Sequence, residues 1–280
     1  MANYYNLITG LPDILMDDGK SPYTIAQFKE LCEESLNKSD KTILYYFFLK
    51  FDCLNIVALL KDSNAKLTQI GNLSEAECRQ LIDESDEMNT RVPFGAPRFL
   101  MDFILDYPEH KADERFFAED AILLQYYHYA MNCKNADVRT WFELNFNIIN
   151  ILTATIARNY GWRVEDYVLD DNEVSDTILK NAQTKDFNLS PIIDYVDEII
   201  KIAEIEDPVM KEKNIDAFKW LWLDDKTFFQ HFSLFAVFAY LCKIEMNERW
   251  EKLDVETGKA TFTQIVDNLR SEARVPEEFL

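Results

Sequence analysis

Residues 46–56, YFFLKFDCLNI, align with residues 141–151, WFELNFNIINI, at a constant offset of 95 positions. Five of the eleven positions carry the same residue in both copies, namely Phe47/Phe142, Leu49/Leu144, Phe51/Phe146, Asn55/Asn150 and Ile56/Ile151. The whole chain has only six glycines and eight prolines, too few for the frequent tight turns of a β-sandwich or of βα loops. The repeat and the scarcity of turn residues predict an all-α protein with a repeated helical unit.

Each copy of the repeat contains a pair of polar residues inside an apolar run. The pairs are Asp52 with Asn55 and Asn147 with Asn150. Residues three positions apart lie on the same side of a helix, so each pair is expected within a packed interface. Buried polar groups are costly to leave without hydrogen bonds. We therefore predict that these four residues are architectural and tie neighbouring helices together.

Capping and turn signals divide the chain into helices. Asp40 is expected to cap the first repeat helix, over about 42–61, and the second repeat helix is expected to continue to Arg158. Ser74 to Glu77 match the capping-box pattern at the start of a short helix. Further along the chain, helices are predicted over residues 209–221, 226–253 and 261–273. These elements suggest three helical domains, an abbreviated first one over 1–90, a second over 91–187 and a third over 188–280.

Charge argues against one class of partner. Fifty acidic residues against twenty-nine basic ones give a formal net charge of −21, which repels nucleic-acid phosphates and anionic lipid headgroups. The acidity serves solubility, or it provides a face complementary to a basic protein partner. Both interpretations stay open on the sequence alone.

The cysteines and the apolar runs bear on localisation. The five cysteines are widely spaced and form no CxxC pair, as expected of reduced core residues in a cytosolic protein. The opening residues lack the pattern of a signal peptide. The longest uncharged runs, 144–157 and 232–242, are shorter than the roughly 18 residues that span a bilayer. No direct insertion into a membrane is expected.

Recognisable catalytic and cofactor motifs do not occur. His110, His128 and His231 are isolated from one another, and no phosphate-binding glycine loop or nucleophile elbow is present. The acidic segment Asp170 to Glu173 suits a magnesium ion by residue type, but a linker with a helix cap explains it better. We predict no catalytic residue, no metal and no cofactor, and we interpret the many aromatic residues as core packing, with one patch left over for a partner.

Two features of the chain resemble known families. A helix with an aromatic and apolar run around Asp/Asn-x-x-Asn, repeated at Asp52/Asn55 and Asn147/Asn150, is similar to the connecting subunit of V-type ATPases, which is known by the letter C in bacterial enzymes and d in eukaryotic ones. The stretch 232–249, followed by Gly258-Lys259 and a final helix, is similar to the end of that subunit. The opening residues 4–13, YYNLITGLPD, more specifically resemble an uncharacterised bacterial family associated with V-type ATPase operons.

The resemblance implies a pseudo-symmetric funnel of repeated helical domains. Such a subunit would be non-catalytic, would lie in the cytoplasm at the inner face of the cell membrane, and would connect the central shaft of the ATPase to the proteolipid rotor ring. The second repeat departs from the pattern, because Asn147 stands where the first has Asp52. Two alternatives remain, a free-standing acidic helical scaffold and an all-helical enzyme with a magnesium-dependent cleft.

Overall fold

The computed structural model describes residues 4–16, 21–85, 91–113 and 116–252, and over these residues the chain is helical and has no strand. The prediction of an all-α fold is confirmed. The helices are α1 Tyr5–Thr9, α2 Ile25–Ser35, α3 Lys38–Lys61, α4 Glu75–Asp83, α5 Arg98–His110, α6 Ala118–Ala130, α7 Ala136–Asn159, α8 Glu173–Lys180, α9 Val196–Ala203, α10 Pro208–Thr227 and α11 Leu234–Lys252. Short 3-10 turns occur at Pro93–Gly95 and Val164–Asp166. The predicted helix over 261–273 and Gly258-Lys259 lie outside the described residues.

The chain divides into two compact units. The larger unit contains residues 36–219, and the smaller one contains the described residues up to 35 together with those from 220 onward. The boundary between residues 219 and 220 falls within α10. The three-domain division at residues 90 and 187 stays a prediction.

The larger unit is organised around the two repeated helices. Helix α3 packs against α4, α5 and α6, and α7 packs against α6, α8 and α9. Helix α6 contacts both, because the Tyr126 hydroxyl donates a hydrogen bond to the Tyr46 carbonyl (3.1 Å) and its ring centroid lies 5.8 Å from that of Phe142. Each buried aromatic or aliphatic side chain in this core contributes about 1.5–3 kcal/mol relative to an exposed one.

The smaller unit has a core of its own. Helix α11 packs against α2, and Phe28, Phe235 and Phe238 are almost completely buried. The Phe28 and Tyr240 ring centroids are 5.2 Å apart, and the Tyr240 hydroxyl donates a hydrogen bond to the Pro12 carbonyl (2.9 Å). Both the N-terminal segment and α2 are thereby held against α11.

Two predicted helix boundaries are wrong. The N-cap of α3 is Asn37, whose Oδ1 accepts a hydrogen bond from the Asp40 amide (3.0 Å), so Asp40 lies in the first turn, where its charge favours the helix dipole. The break predicted between residues 221 and 226 is also absent. Helix α10 continues through Asp224, which is exposed and forms an ion pair with Lys243. The chain leaves the helix only after Thr227.

Helix α3 also corrects the expectation about apolar runs. Among the helices that the structure describes, it alone is long and apolar enough to cross a membrane, by length and composition. The search for uncharged runs missed it because Lys50 and Asp52 interrupt its sequence. Of its most apolar 18-residue window, 61% is buried inside the protein, as is typical of a core helix.

Candidate functional site

The first polar pair fastens the loop that follows α3. Asn55 Oδ1 accepts a hydrogen bond from the Thr68 amide (3.0 Å), and Asn55 Nδ2 donates one to the Thr68 carbonyl (2.9 Å). Both backbone groups of Thr68 are thus satisfied by a single side chain from the helix. We call Asp52, Asn55 and the loop residues that they bind the first clamp.

Asp52 completes the first clamp from a fully buried position. Its Oδ1 accepts a hydrogen bond from the Leu73 amide (2.9 Å), and its Oδ2 accepts one from Asn72 Nδ2 (2.8 Å). A carboxylate can be buried when donors surround it, and hydrogen bonds to a charged acceptor are the stronger ones. Gly71 passes so close to this carboxylate that a Cβ at residue 71 would overlap it. The sequence therefore needs glycine at that place.

The second polar pair makes an analogous arrangement after α7, which we call the second clamp. Asn150 Oδ1 accepts a hydrogen bond from the Leu169 amide (2.9 Å), and Asn150 Nδ2 donates one to the Leu169 carbonyl (2.8 Å). This repeats the contact of Asn55 with Thr68. Asn150 is fully buried, so its amide replaces water as the hydrogen-bond partner of the loop.

The second clamp differs from the first at the other polar residue. Asn147 Oδ1 accepts a hydrogen bond from Asn172 Nδ2 (2.8 Å), and Asn147 Nδ2 donates one to the Tyr195 hydroxyl (3.1 Å). Burial raises the pKa of Tyr195, and the hydrogen bond from Asn147 partly opposes that rise. An amide suits this position because it can donate and accept at once, whereas an ionised carboxylate can only accept.

A capped short helix follows each clamped loop. Ser74 and Glu77 form the predicted capping box at the start of α4, which confirms that prediction. Asn172 caps α8 through a hydrogen bond from the Ser175 amide to Asn172 Oδ1 (2.9 Å). Sequence analysis expected the polar pairs to tie neighbouring helices together, but the hydrogen bonds described above fasten mainly the loops. Nothing in the local sequence identifies Thr68, Leu73 or Leu169 as partners.

A groove of about 470 Å³ lies beside the second clamp. It is lined by polar side chains that include His128, Glu143, Asn147, Asp171, Asn172 and Glu173. His128 Nδ1 lies 2.7 Å from Asp171 Oδ1, so the carboxylate orients an imidazole that is largely exposed. Such a pair can exchange a proton with a bound molecule.

The acidic segment Asp170 to Glu173 therefore borders a groove, as the enzyme alternative requires. Within it, Asn172 caps α8, and Asp170 Oδ1 accepts a hydrogen bond from the Ser175 hydroxyl (3.1 Å). Over residues 4–16, 21–85, 91–113 and 116–252, no group of three or more His, Cys, Asp or Glu side chains is arranged to hold a metal ion. In the described protein, this segment serves as a helix cap.

The aromatic residues divide between core and surface. Most pack inside the two units, as predicted, but two clusters are exposed. One cluster consists of Tyr160, Trp162 and Tyr167 in the larger unit, and the other includes Phe228 and Phe229 in the smaller unit. Sequence analysis left one patch for a partner without locating it, because helical spacing alone does not distinguish a core ring from an exposed one.

Comparison with known proteins assigns the chain to a family. A family model described as "Protein of unknown function (DUF2764)" matches residues 1–273, nearly the whole chain. No curated protein and no solved structure matches the chain.

Proposed function

The chain belongs to the DUF2764 family, and we propose that it is a non-catalytic connecting subunit of a V-type rotary ATPase. In this role it lies at the cytoplasmic face of the membrane and links the central shaft to the proteolipid rotor ring. It transmits torque between ATP turnover and ion movement. The proposal includes the finer architecture implied by the resemblance, a pseudo-symmetric arrangement of repeated helical domains.

The observation that carries the proposal is the pair of clamps on the repeated helices. A part that transmits torque must not yield where one element passes force to the next. Loops are usually the most mobile parts of a protein, yet here buried side chains fasten two of them to long core helices. This construction supports a mechanical role.

Charge and surface chemistry give further support. A formal charge of −21 favours association with basic protein surfaces. Exposed aromatic clusters mark places where proteins bind other proteins. Both features suit a subunit held between two partners.

The second candidate is a free-standing acidic helical scaffold. The exposed aromatic clusters favour it equally, because they indicate protein binding without naming a rotary ATPase. The two candidates differ in their partners, so one experiment separates them.

The experiment is a pull-down of the tagged full chain from its native membranes, washed in moderate salt, with identification of every co-purifying chain. The connector predicts stoichiometric recovery of the V-type ATPase shaft and ring subunits. A charge-matched acidic protein carrying the same tag serves as the control for electrostatic adsorption. Recovery of the chain alone, or with partners unrelated to ion transport, would refute the connector and favour the scaffold.

A further inference from the structure

Four exposed aromatic side chains cluster at one end of the smaller unit. They are Tyr5 on α1 and Phe228, Phe229 and Phe232 in the turn between α10 and α11, and we call them the aromatic tip. Phe229 is 93% exposed and Phe228 is 61% exposed. Phenylalanine is normally among the most buried residues, so a phenylalanine almost fully in water points to a binding role.

The tip is held in place rather than presented on a loose loop. The ring centroids of Phe228 and Phe229 lie 4.8 Å apart, as do those of Tyr5 and Phe232. The Tyr4 amide donates a hydrogen bond to the Phe232 carbonyl (3.1 Å), which joins α1 to the turn. Two backbone hydrogen bonds of 3.0 Å, Gln230 to Thr227 and Ser233 to Gln230, fix the turn itself. A fixed surface loses less entropy when it binds.

The size of the tip suits the centre of an interface. At roughly 200 Å² for each aromatic side chain, the four exposed fractions amount to on the order of 500 Å². That equals the largest apolar patch of a typical monomer, which is often functional. It is smaller than the roughly 800 Å² that each partner buries in a stable complex. Leu221, 67% exposed and two helical turns before Phe228 on the same side of α10, extends it.

The chemistry of the tip and its rim selects the kind of partner. The aromatic rings require an apolar surface, while Asp224 and Asp225, both exposed in the last turn of α10, add carboxylates beside Phe228. A second copy of the chain would bring another charge of −21, and an anionic bilayer would repel the same charge. A coiled coil has an apolar seam flanked by charged positions, and at its end that seam is open to a partner.

We propose that the aromatic tip binds the open end of a coiled coil whose apolar seam is flanked by basic side chains. This inference rests on the proposed function, under which the coiled coil is the foot of the central shaft. Phe229 inserts into the seam, and the neighbouring rings exclude water around it. The ring-binding surface lies elsewhere on the chain.

The test measures binding of the full chain to two purified probes, the central-shaft subunit and the proteolipid ring of the same V-type ATPase. Phe229→Ser should weaken binding to the shaft at least about tenfold, as expected for an aromatic anchor, and the double variant with Phe228→Ser should weaken it further. Binding to the ring should not change. Phe117→Ser is the matched control, because Phe117 is 58% exposed but belongs to the larger unit.

The outcomes separate this inference from the proposed function. If the unaltered chain binds neither probe, both fail. If it binds the shaft and Phe229→Ser binds equally well, only the role of the tip is refuted. Loss of ring binding alone, or a dimer of the chain that Phe229→Ser abolishes in sedimentation, would assign the tip to another partner and overturn the proposal. Circular dichroism and the melting temperature verify that each variant is folded.

Discussion

Gly71 lies against Asp52 with no room for a side chain between them. We expect Gly71→Ala to lower the free energy of unfolding by about 1–3 kcal/mol, because the added methyl group forces the buried carboxylate away from its donors. Urea unfolding followed by circular dichroism measures the change. Gly10→Ala is the control, since a Cβ there meets only the Asn6 and Leu7 carbonyl oxygens at 3.4 Å. Equal stability of the two variants would contradict the close approach.

Replacing the asparagine of either clamp should also destabilise the larger unit. Asn55→Leu leaves the amide and carbonyl of Thr68 without their partner, and Asn150→Leu does the same at Leu169. Each unsatisfied buried group costs about 1–3 kcal/mol, so we expect each variant to lose about 2–4 kcal/mol. Thermal unfolding measures it, with Asn64→Leu as an exposed control. An unchanged melting temperature in both clamp variants would rule out the architectural role.

The capping box at α4 makes a prediction about acid. The Ser74 amide and hydroxyl both donate hydrogen bonds to the Glu77 carboxylate, and they lower the pKa of Glu77 below its ordinary value. A lowered pKa in the folded state stabilises the fold above the ordinary pKa of glutamate, and this contribution disappears as the pH falls through the folded value. Ser74→Ala should raise the pKa of Glu77 in an NMR titration and cost about 1 kcal/mol.

A conservative change provides the control for the capping box. Ser63→Ala removes an exposed hydroxyl outside the cap and should leave both the stability and the pKa of Glu77 unchanged. If Ser74→Ala behaved like Ser63→Ala, the hydroxyl would not contribute to the cap.

The cysteines should be unreactive until the protein unfolds. All five are buried, and burial is the main cause that raises the pKa of Cys32 and of Cys78 to about 12. Only the thiolate reacts readily, and at pH 8 these thiols stay protonated. We expect a thiol reagent such as DTNB to label none of them quickly in the native protein and all five in guanidinium chloride. Rapid labelling of a native thiol would show that its surroundings are open to solvent.

Local signals were the predictable part of this fold. Ser74 and Glu77 announce their cap within four residues, and the aligned repeat places Asn55 and Asn150 correctly on buried helix faces. The cap of α3 was misplaced because Asn37 and Asp40 are both good cap residues, and the choice between them depends on where the chain turns. The run through Asp224 was missed because its ion pair is with Lys243, nineteen residues away.

The clamp partners could not be predicted from the sequence. Thr68 and Leu169 bind through their backbone groups, which every residue possesses, so their side chains carry no signal. The groove beside Asn147 depends on α6 and α8 lying on either side of α7, and the exposure of Phe229 depends on the turn in which it lies. Such facts are determined by tertiary packing, which single-sequence patterns do not specify.

The clamps also have a consequence for the order in which the chain folds. Their hydrogen bonds close over 13 residues at Asn55 and Thr68, and over at most 25 residues at Asn147 and Asn172. Closing such short loops costs little entropy, and contacts close in sequence form early. Each long helix can therefore capture its own loop soon after both are synthesised, before residues 220–252 meet the N-terminal segment.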